Sequence, residues 1–282
     1  MINLRAPIVR TTLFSSGAAA LRTCTQNRSR GLRLGQWFVA LLLLGWMAWA
    51  AAADTPDAQT ILTSADQSRG AGLPGLEMQV HVRSENSTGQ QDLDSDVTMQ
   101  VKSYDGSSLA EVVEPLRSKG MRLLLSQRNM WLHKPGMKKP VAVSVRQRLS
   151  GQAALGDIAS TGYARDYTAT YLRSDELAGE RCHVLELRSA QRNTTYDLII
   201  YWVSERSGLG IRAEFQSLSG KVLKRADFQY KLKLSHQGRK DMPFVSRMLI
   251  SDALTSEQTV LEYSNVRVRA ISPIEFDVGA LQ

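Results

Sequence analysis

The sequence predicts a mainly β protein: a large curved antiparallel sheet with an N-terminal helix and a helical insert. Three observations lead there. Apolar and polar residues alternate with period two through most of the chain, as in strands with one buried and one wet face. Turn residues separate these runs by short connections, which favours hairpins over crossovers. The helical period of 3.6 is clear in one segment, residues 56–69.

That segment, PDAQTILTSADQSR, opens with Pro56 at a first-turn position and carries Ile61, Leu62 and Ala65 as an apolar stripe. Gly70, Gly72, Pro74 and Gly75 end it. Next, Leu76, Met78, Val80 and Val82 alternate with Glu77, Gln79, His81 and Arg83. A polar stretch at 85–96 follows, then Val97, Met99 and Val101. Extended runs are expected at 108–113, 121–127, 129–133, 169–174, 181–188, 196–204, 210–218, 222–235, 243–254 and 258–270, for about ten or eleven strands. Within these, Tyr196, Leu198, Ile200 and Trp202 are expected on one face, with Ile211, Ala213 and Phe215 on the next strand. Leu223, Phe228, Tyr230, Leu232 and Leu234 are expected inward from one long strand. The Gly-, Ala- and Ser-rich interruption at 146–166 has room for one or two short helices. A sheet this wide needs a cover, and one helix plus a short insert gives little. Alternation alone leaves open whether the apolar face is a filled core or a cavity.

The N-terminus is of another kind. Six arginines and no acidic residue precede an apolar run from Trp37, which ends Ala51-Ala52-Ala53 before Asp54. A basic region, an apolar core and small residues at a cut point read as a secretory signal peptide. The core of about 14–17 residues is short of the ~20 that span a bilayer, although a retained anchor is the alternative. The expectation is a leader at 1–53, cleaved after Ala53, and a mature domain at 54–282 outside the cytoplasm. The net charge of +8 then shrinks to +2, because the leader holds six of the 35 basic residues. No nucleic-acid footprint remains. Cys182 is the one thiol left, so no internal disulfide is expected, and its strand-like context reads as buried.

Catalytic chemistry is hard to find. His81, His133, His183 and His236 have no metal-ligand spacing, and there is no Gly-x-Ser-x-Gly elbow or phosphate loop. Asp92, Asp94 and Asp96 lack the glycine and glutamate of a calcium loop. The expectation is therefore no enzyme, no cofactor and no metal. The aromatic run at 129–145 offers something different: Trp131 beside Lys134, Lys138 and Lys139, either a lipid-facing aromatic with a cationic rim or a core tryptophan next to a solvated turn.

Four segments carry a family likeness: ILTSADQSR at 61–69, GMRLLLSQRNMWLHKP at 120–135, SGQAALGDIASTGYARDYTATYL at 150–172, and the closing ISPIEFDVGALQ. With these the chain resembles the LolA-like outer-membrane lipoprotein-sorting proteins, in particular their exporter-associated branch. Where many relatives have Gly-Ser-Asp-Phe, this chain has Gly156-Asp157-Ile158-Ala159. The resemblance implies an incomplete antiparallel β-barrel with a helical lid enclosing an apolar cavity. It further implies a monomeric periplasmic carrier of lipid or lipoprotein acyl chains, working with an inner-membrane transporter. Its lipid-binding residues are expected to be Trp131, Met130, Leu132, Tyr167, Trp202, Phe215, Phe228 and Tyr230, with Trp131 at the cavity rim. A ligand-sensing envelope-stress module of the RseB-like kind is the alternative role.

Overall fold

Alternation does produce a sheet, and it is wider than expected. The structure, a computed structural model, describes residues 57–85, 91–159, 162–255 and 257–281. The expected leader and Pro56 lie outside these residues. The described chain begins with helix α1, Ala58–Asp66, capped by the Asp57 carboxylate on the Gln59 N–H, and continues as a 3-10 turn, Gln67–Arg69. Gly70 ends it at φ 104°, a backbone conformation that glycine adopts without penalty.

Next come β1 (Leu76–Glu85), β2 (Gln91–Tyr104), β3 (Ser107–Glu114), β4 (Arg122–Ser126), β5 (Asn129–His133) and β6 (Val141–Val143). The insert forms the short strands β7 (Arg148–Ser150) and β8 (Ala153–Ala154) and one helix, α2, Leu155–Ala159. The second wing is β9 (Tyr167–Leu177), β10 (Glu180–Ser189), β11 (Leu198–Ser204), β12 (Gly210–Gln216) and β13 (Val222–Gln229). Then follow β14 (Leu232–His236), β15 (Arg239–Phe244), β16 (Arg247–Asp252) and β17 (Gln258–Val268). The chain closes on two 3-10 turns, Pro273–Phe276 and Val278–Leu281.

Thirteen strands form one antiparallel sheet in the order β6-β5-β4-β3-β2-β1-β17-β16-β13-β12-β11-β10-β9. Both wings are meanders, and they meet where β1 pairs with β17, Val80 opposite Tyr263. The sheet is not closed: β6 and β9 are its edges. The incomplete-barrel architecture is therefore present. Two expected strands differ. The run 222–235 breaks between Gln229 and Leu232, and 243–254 breaks between Phe244 and Arg247. The freed pieces, β14 and β15, pair with each other as a separate hairpin, which buries Leu234 and Phe244 in the main core. The polar stretch at 85–96 also differs, since β2 already begins at Gln91.

The concave face carries the main core. Met78, Val80, Val82, Met99, Val112, Leu185, Ile199 and Ile250 are all buried in it. α1 adds Leu62 and Ala65, and α2 adds Leu155 and Ile158. Cover thus comes from four pieces: α1, the β14–β15 hairpin, the insert and the segment leading to β9. Side chains pack the interior beneath this cover, and the larger free volumes lie at its margins. A second, smaller apolar cluster lies apart from the main core, where Ile271, Phe276 and Leu281 of the C-terminal tail bury Leu124 and cover part of Trp131.

Candidate functional site

Under the lid the core becomes polar. The apolar stripe of α1 continues through Asp66 and Arg69, four and seven residues beyond Leu62 on the same helical face. Arg69 is 5% exposed and Asp66 2%. The Arg69 guanidinium lies 4.4 Å from the centre of the Tyr163 ring and 5.4 Å from that of Phe228, in reach of both π faces. Burial opposes its charge, but the oxygens of Tyr163, Tyr201, Asp66 and Tyr263 outweigh burial and raise its pKa. Burial pushes the Asp66 carboxyl up to about 6, against the pull of Arg69 and of two N–H groups. Those two N–H groups belong to Tyr163 and Ala164, and both donate to Asp66 Oδ2 at 2.7 Å. One carboxylate thus ties the end of α1 to the segment before β9. Gln59 ties the helix to the same region, donating to the Ala164 carbonyl at 3.2 Å and accepting from the Ala169 N–H at 2.9 Å.

A second buried carboxylate holds the insert. Asp157 accepts from the Ala154 N–H at 2.8 Å and from the Tyr196 hydroxyl at 2.9 and 3.0 Å. Burial raises its pKa, with Lys224 as the main opposing charge. The Tyr196 ring stacks on Phe215 at 3.9 Å between centroids, with 16° between the planes. The Tyr167 hydroxyl donates to the Tyr196 carbonyl at 3.0 Å. Gly156 lets α2 come this close: a Cβ there would stand 1.8 Å from Thr195 Oγ1.

The gap between the two sheet edges is bridged by side chains rather than by strand pairing. Arg146, after β6, holds both Asp197 oxygens at 3.1 and 2.5 Å and donates to the Thr194 carbonyl at 3.0 Å. Arg128, in the β4–β5 turn, donates to Asp166 at 2.9 Å. Asn193 donates to Asn129 at 3.3 Å. Beneath this seam lies a cavity of about 40 Å³, lined by Arg69, Leu125, Val145, Asp157, Tyr163, Tyr167 and Tyr196, with Arg128, Arg165 and Arg192 at its opening. A groove of about 560 Å³ runs past Thr63, Asp66, the Gly70–Pro74 turn, Tyr104 and Arg165. Another of about 440 Å³ separates α1 from the β14–β15 hairpin, between Ser64, Leu73, Leu234 and Met242. The larger volumes therefore lie at the margins of the lid, where its pieces meet.

The structure gathers some of the expected binding residues and separates others. Tyr167, Phe215 and Phe228 are buried in the main core, and Met130 joins them; Leu132 and Tyr230 pack partly buried against it. The Tyr230 hydroxyl donates to the Gly210 carbonyl at 2.6 Å. Trp131 requires a correction. It pairs with Leu124, and both belong to the cluster under the C-terminal tail, while its neighbours Met130 and Leu132 face the main core. Alternation along β5 puts Trp131 on the opposite face, away from the cavity. Trp202 is corrected likewise. It packs with Cys182 and Val184, while Ile199, Tyr201 and Val203 take the inner face. The basic rim also moves. Lys134, Lys138 and Lys139 follow the far end of β5, and Arg128, Arg165 and Arg192 stand at the cavity instead. Among the described residues no cluster of His, Cys, Asp or Glu could hold a metal ion, and no helix is long and apolar enough to cross a membrane.

Comparison with known proteins agrees with this architecture. A protein-family profile described as "Uncharacterized protein" matches residues 105–282. None of the curated proteins matches the chain. A crystal structure of a LolA superfamily protein from Nitrosomonas europaea is 31% identical, with a TM-score of 0.69 over 78% of this chain and 97% of that one. A putative outer membrane lipoprotein-sorting protein domain from Vibrio parahaemolyticus is 20% identical, with a TM-score of 0.65 over 79% and 97%. A DUF1329 family protein from Desulfovibrio piger is 18% identical, with a TM-score of 0.64 over the same shares. The last two show the shared fold. The first, at its identity and coverage, shows the family: this chain belongs to the LolA superfamily.

Proposed function

We propose that this protein is a periplasmic carrier that takes up acyl chains of a lipid or lipoprotein on the concave face of its sheet and works with an inner-membrane transporter. The observation that carries the reading is how the apolar face is covered. Separate pieces cover it, and several of their ties are side-chain hydrogen bonds and ion pairs across the seam rather than strand ladders. Residues 1–53 act as the leader in this reading, cut after Ala53, and the mature domain works as a monomer without cofactor or catalysis.

In the closed arrangement the space beneath the seam is about 40 Å³, room for a water or two and far below the several hundred Å³ of a ligand pocket. Uptake therefore needs the lid to move and the acyl chain to replace lid side chains against Phe215, Phe228 and Met130. Each methylene so buried contributes about 0.8 kcal/mol, set against the burial that the lid side chains give up, so affinity should grow with chain length. Membership in the LolA superfamily and the likeness to a lipoprotein-sorting domain support the same class of cargo.

The test is saturable binding of an environment-sensitive acyl probe to the folded protein, displaced by fatty acid or acylated peptide. Absence of saturable binding by a chain whose circular dichroism shows a folded sheet would remove the carrier reading. Mass spectrometry of lipids retained on protein purified from its host identifies the cargo. N-terminal sequencing of the exported product locates the leader cut.

A further inference from the structure

Three arginines reach the opening of the cavity beneath the seam from three separate loops. Arg128 comes from the β4–β5 turn, Arg165 from the segment before β9, and Arg192 from the β10–β11 loop. A fourth, Arg69, lies buried below them. The carboxylates lining the same cavity are Asp157 and Asp166. Asp157 is occupied by the Tyr196 hydroxyl and the Ala154 N–H. Asp166 binds Arg128 through one oxygen at 2.9 Å. Positive charge is therefore in excess where the polar rim meets an apolar floor of Leu125 and Val145.

The three rim arginines are not equally engaged. Arg165 donates to the Asp105 backbone carbonyl. Its guanidinium lies where a side chain at 106 would stand, since a Cβ on Gly106 would be 1.7 Å from Arg165 Nη1. The Asp105 carboxylate is 4.0 Å away and 81% exposed, a weakly held counter-ion. Arg192 is exposed, and no hydrogen bond or ion pair joins it to any of the described residues. Like charges gathered beside an apolar cavity repel one another unless an anion joins them, and guanidinium groups take phosphate or carboxylate oxygens in paired hydrogen bonds.

We propose that Arg128, Arg165 and Arg192 bind the anionic head group, a phosphate monoester or a carboxylate, of the amphiphile whose acyl chain enters beneath the seam. The proposal rests on the carrier reading and adds to it the class of cargo: single-chain amphiphiles with an anion next to the acyl group. Asp166 already shows the contact with Arg128, and the bound head group adds Arg165 and Arg192 to it. The acyl chain then passes Leu125 and Val145 toward Phe215. Docking the anion draws together three loops that the closed seam connects only by single side chains.

Competition against an uncharged fluorescent acyl probe tests this, using lysophosphatidic acid, the monoacylglycerol of the same chain length, and inorganic phosphate alone. Lysophosphatidic acid is expected to compete about tenfold better than the monoacylglycerol at low salt, with the preference shrinking as salt rises. Arg192→Gln and the double variant Arg165→Gln/Arg192→Gln should reduce that preference toward one. Lys138→Gln, which removes the same charge at the far end of β5, should keep it. Circular dichroism and Tm on each variant separate loss of the site from loss of the fold. Equal competition by both amphiphiles in the wild type, or an undiminished preference in the folded double variant, overturns the head-group site and leaves the carrier reading standing. Displacement of lysophosphatidic acid by inorganic phosphate at equal concentration overturns the head-group assignment in favour of a site for free phosphate. Failure of both amphiphiles to compete removes the carrier reading and the head-group site together.

Discussion

The Tyr196 hydroxyl donates to the Asp157 carboxylate deep in the core, within 3.0 Å of both oxygens. This contact is one of the side-chain links between the insert and the β-sheet wing behind it. Removing the hydroxyl leaves a buried carboxylate with fewer donors, which is costlier than losing an ordinary hydrogen bond. Tyr196→Phe is expected to destabilise the protein by about 1–3 kcal/mol. Urea unfolding measures it, and Asp157→Asn made on top of Tyr196→Phe should cost less than it does alone.

Tyr201 gives the opposite expectation for the same substitution. Its ring is fully buried, and its hydroxyl has no hydrogen-bond partner among the described residues. Tyr201→Phe removes an unsatisfied polar group and keeps the ring contacts with Tyr163 and Phe228. Stability should hold or rise, by about 1 kcal/mol at most. A fall in the urea midpoint comparable to that of Tyr196→Phe would mean that the hydroxyl has a role the static contacts do not reveal.

Asp66 imposes a pH dependence. Its folded-state pKa of about 6 lies above the ordinary 3.8. Between those values the native chain holds a proton that the unfolded chain has released. Stability from this group is therefore complete below pH 3.8 and is lost as pH rises through 6, an effect on the order of 3 kcal/mol. The raised pKa of Asp157 acts in the same direction. Relative to the Asp66→Asn variant, the wild-type urea midpoint should decline from pH 4 to 7.

Trp131→Ala now separates stability from binding in the reverse sense to that expected from sequence. The side chain is half-buried under the C-terminal tail, so truncation should cost about 1–3 kcal/mol, below the range for a fully enclosed aromatic. Affinity for an acyl probe per folded molecule should not change. Met130→Ala, on the inner face, should weaken probe binding.

The seam pair Arg146–Asp197 is half-exposed, so Asp197→Ala should change global stability by under about 1 kcal/mol. Its effect should be local. Amide exchange around 144–147 and 190–197 should accelerate while that of β1 and β17 stays put. Equal acceleration everywhere would deny the seam its separate status.

The sheet was readable wherever one face is wet. β1 alternates strictly from Leu76 to Ser84, and its inner residues are those the pattern marks. β11 reads Leu-Ile-Ile-Tyr-Trp-Val, apolar on both faces, so periodicity has nothing with which to choose between Tyr201 and Trp202. The break after Gln229 has no glycine or proline to mark it; the chain leaves the sheet because β14 gains a partner in β15 and a buried place for Leu234. Trp131 was misplaced because an aromatic beside lysines looks like a rim, whereas its cover comes from Ile271 and Phe276, about 140 residues away in sequence. Asp66 and Arg69 are polar, and polarity alone does not mark a residue as core. Their spacing from Leu62 was the available signal, since a stripe through 62, 65, 66 and 69 puts both on the buried side.

The two wings of the sheet meet through β1 and β17, the first and last of its strands. Each wing is made of near neighbours in sequence and can zip up from local hairpins, but the join between them spans almost the whole domain. Such a long-range contact is slow to form. A chain that emerges N-terminus first would therefore hold two half-sheets, their β1 and β16 edges unpaired, until residues 258–268 arrive. For that interval the concave face is open along its middle, and the last strand to emerge determines when the two half-sheets become one.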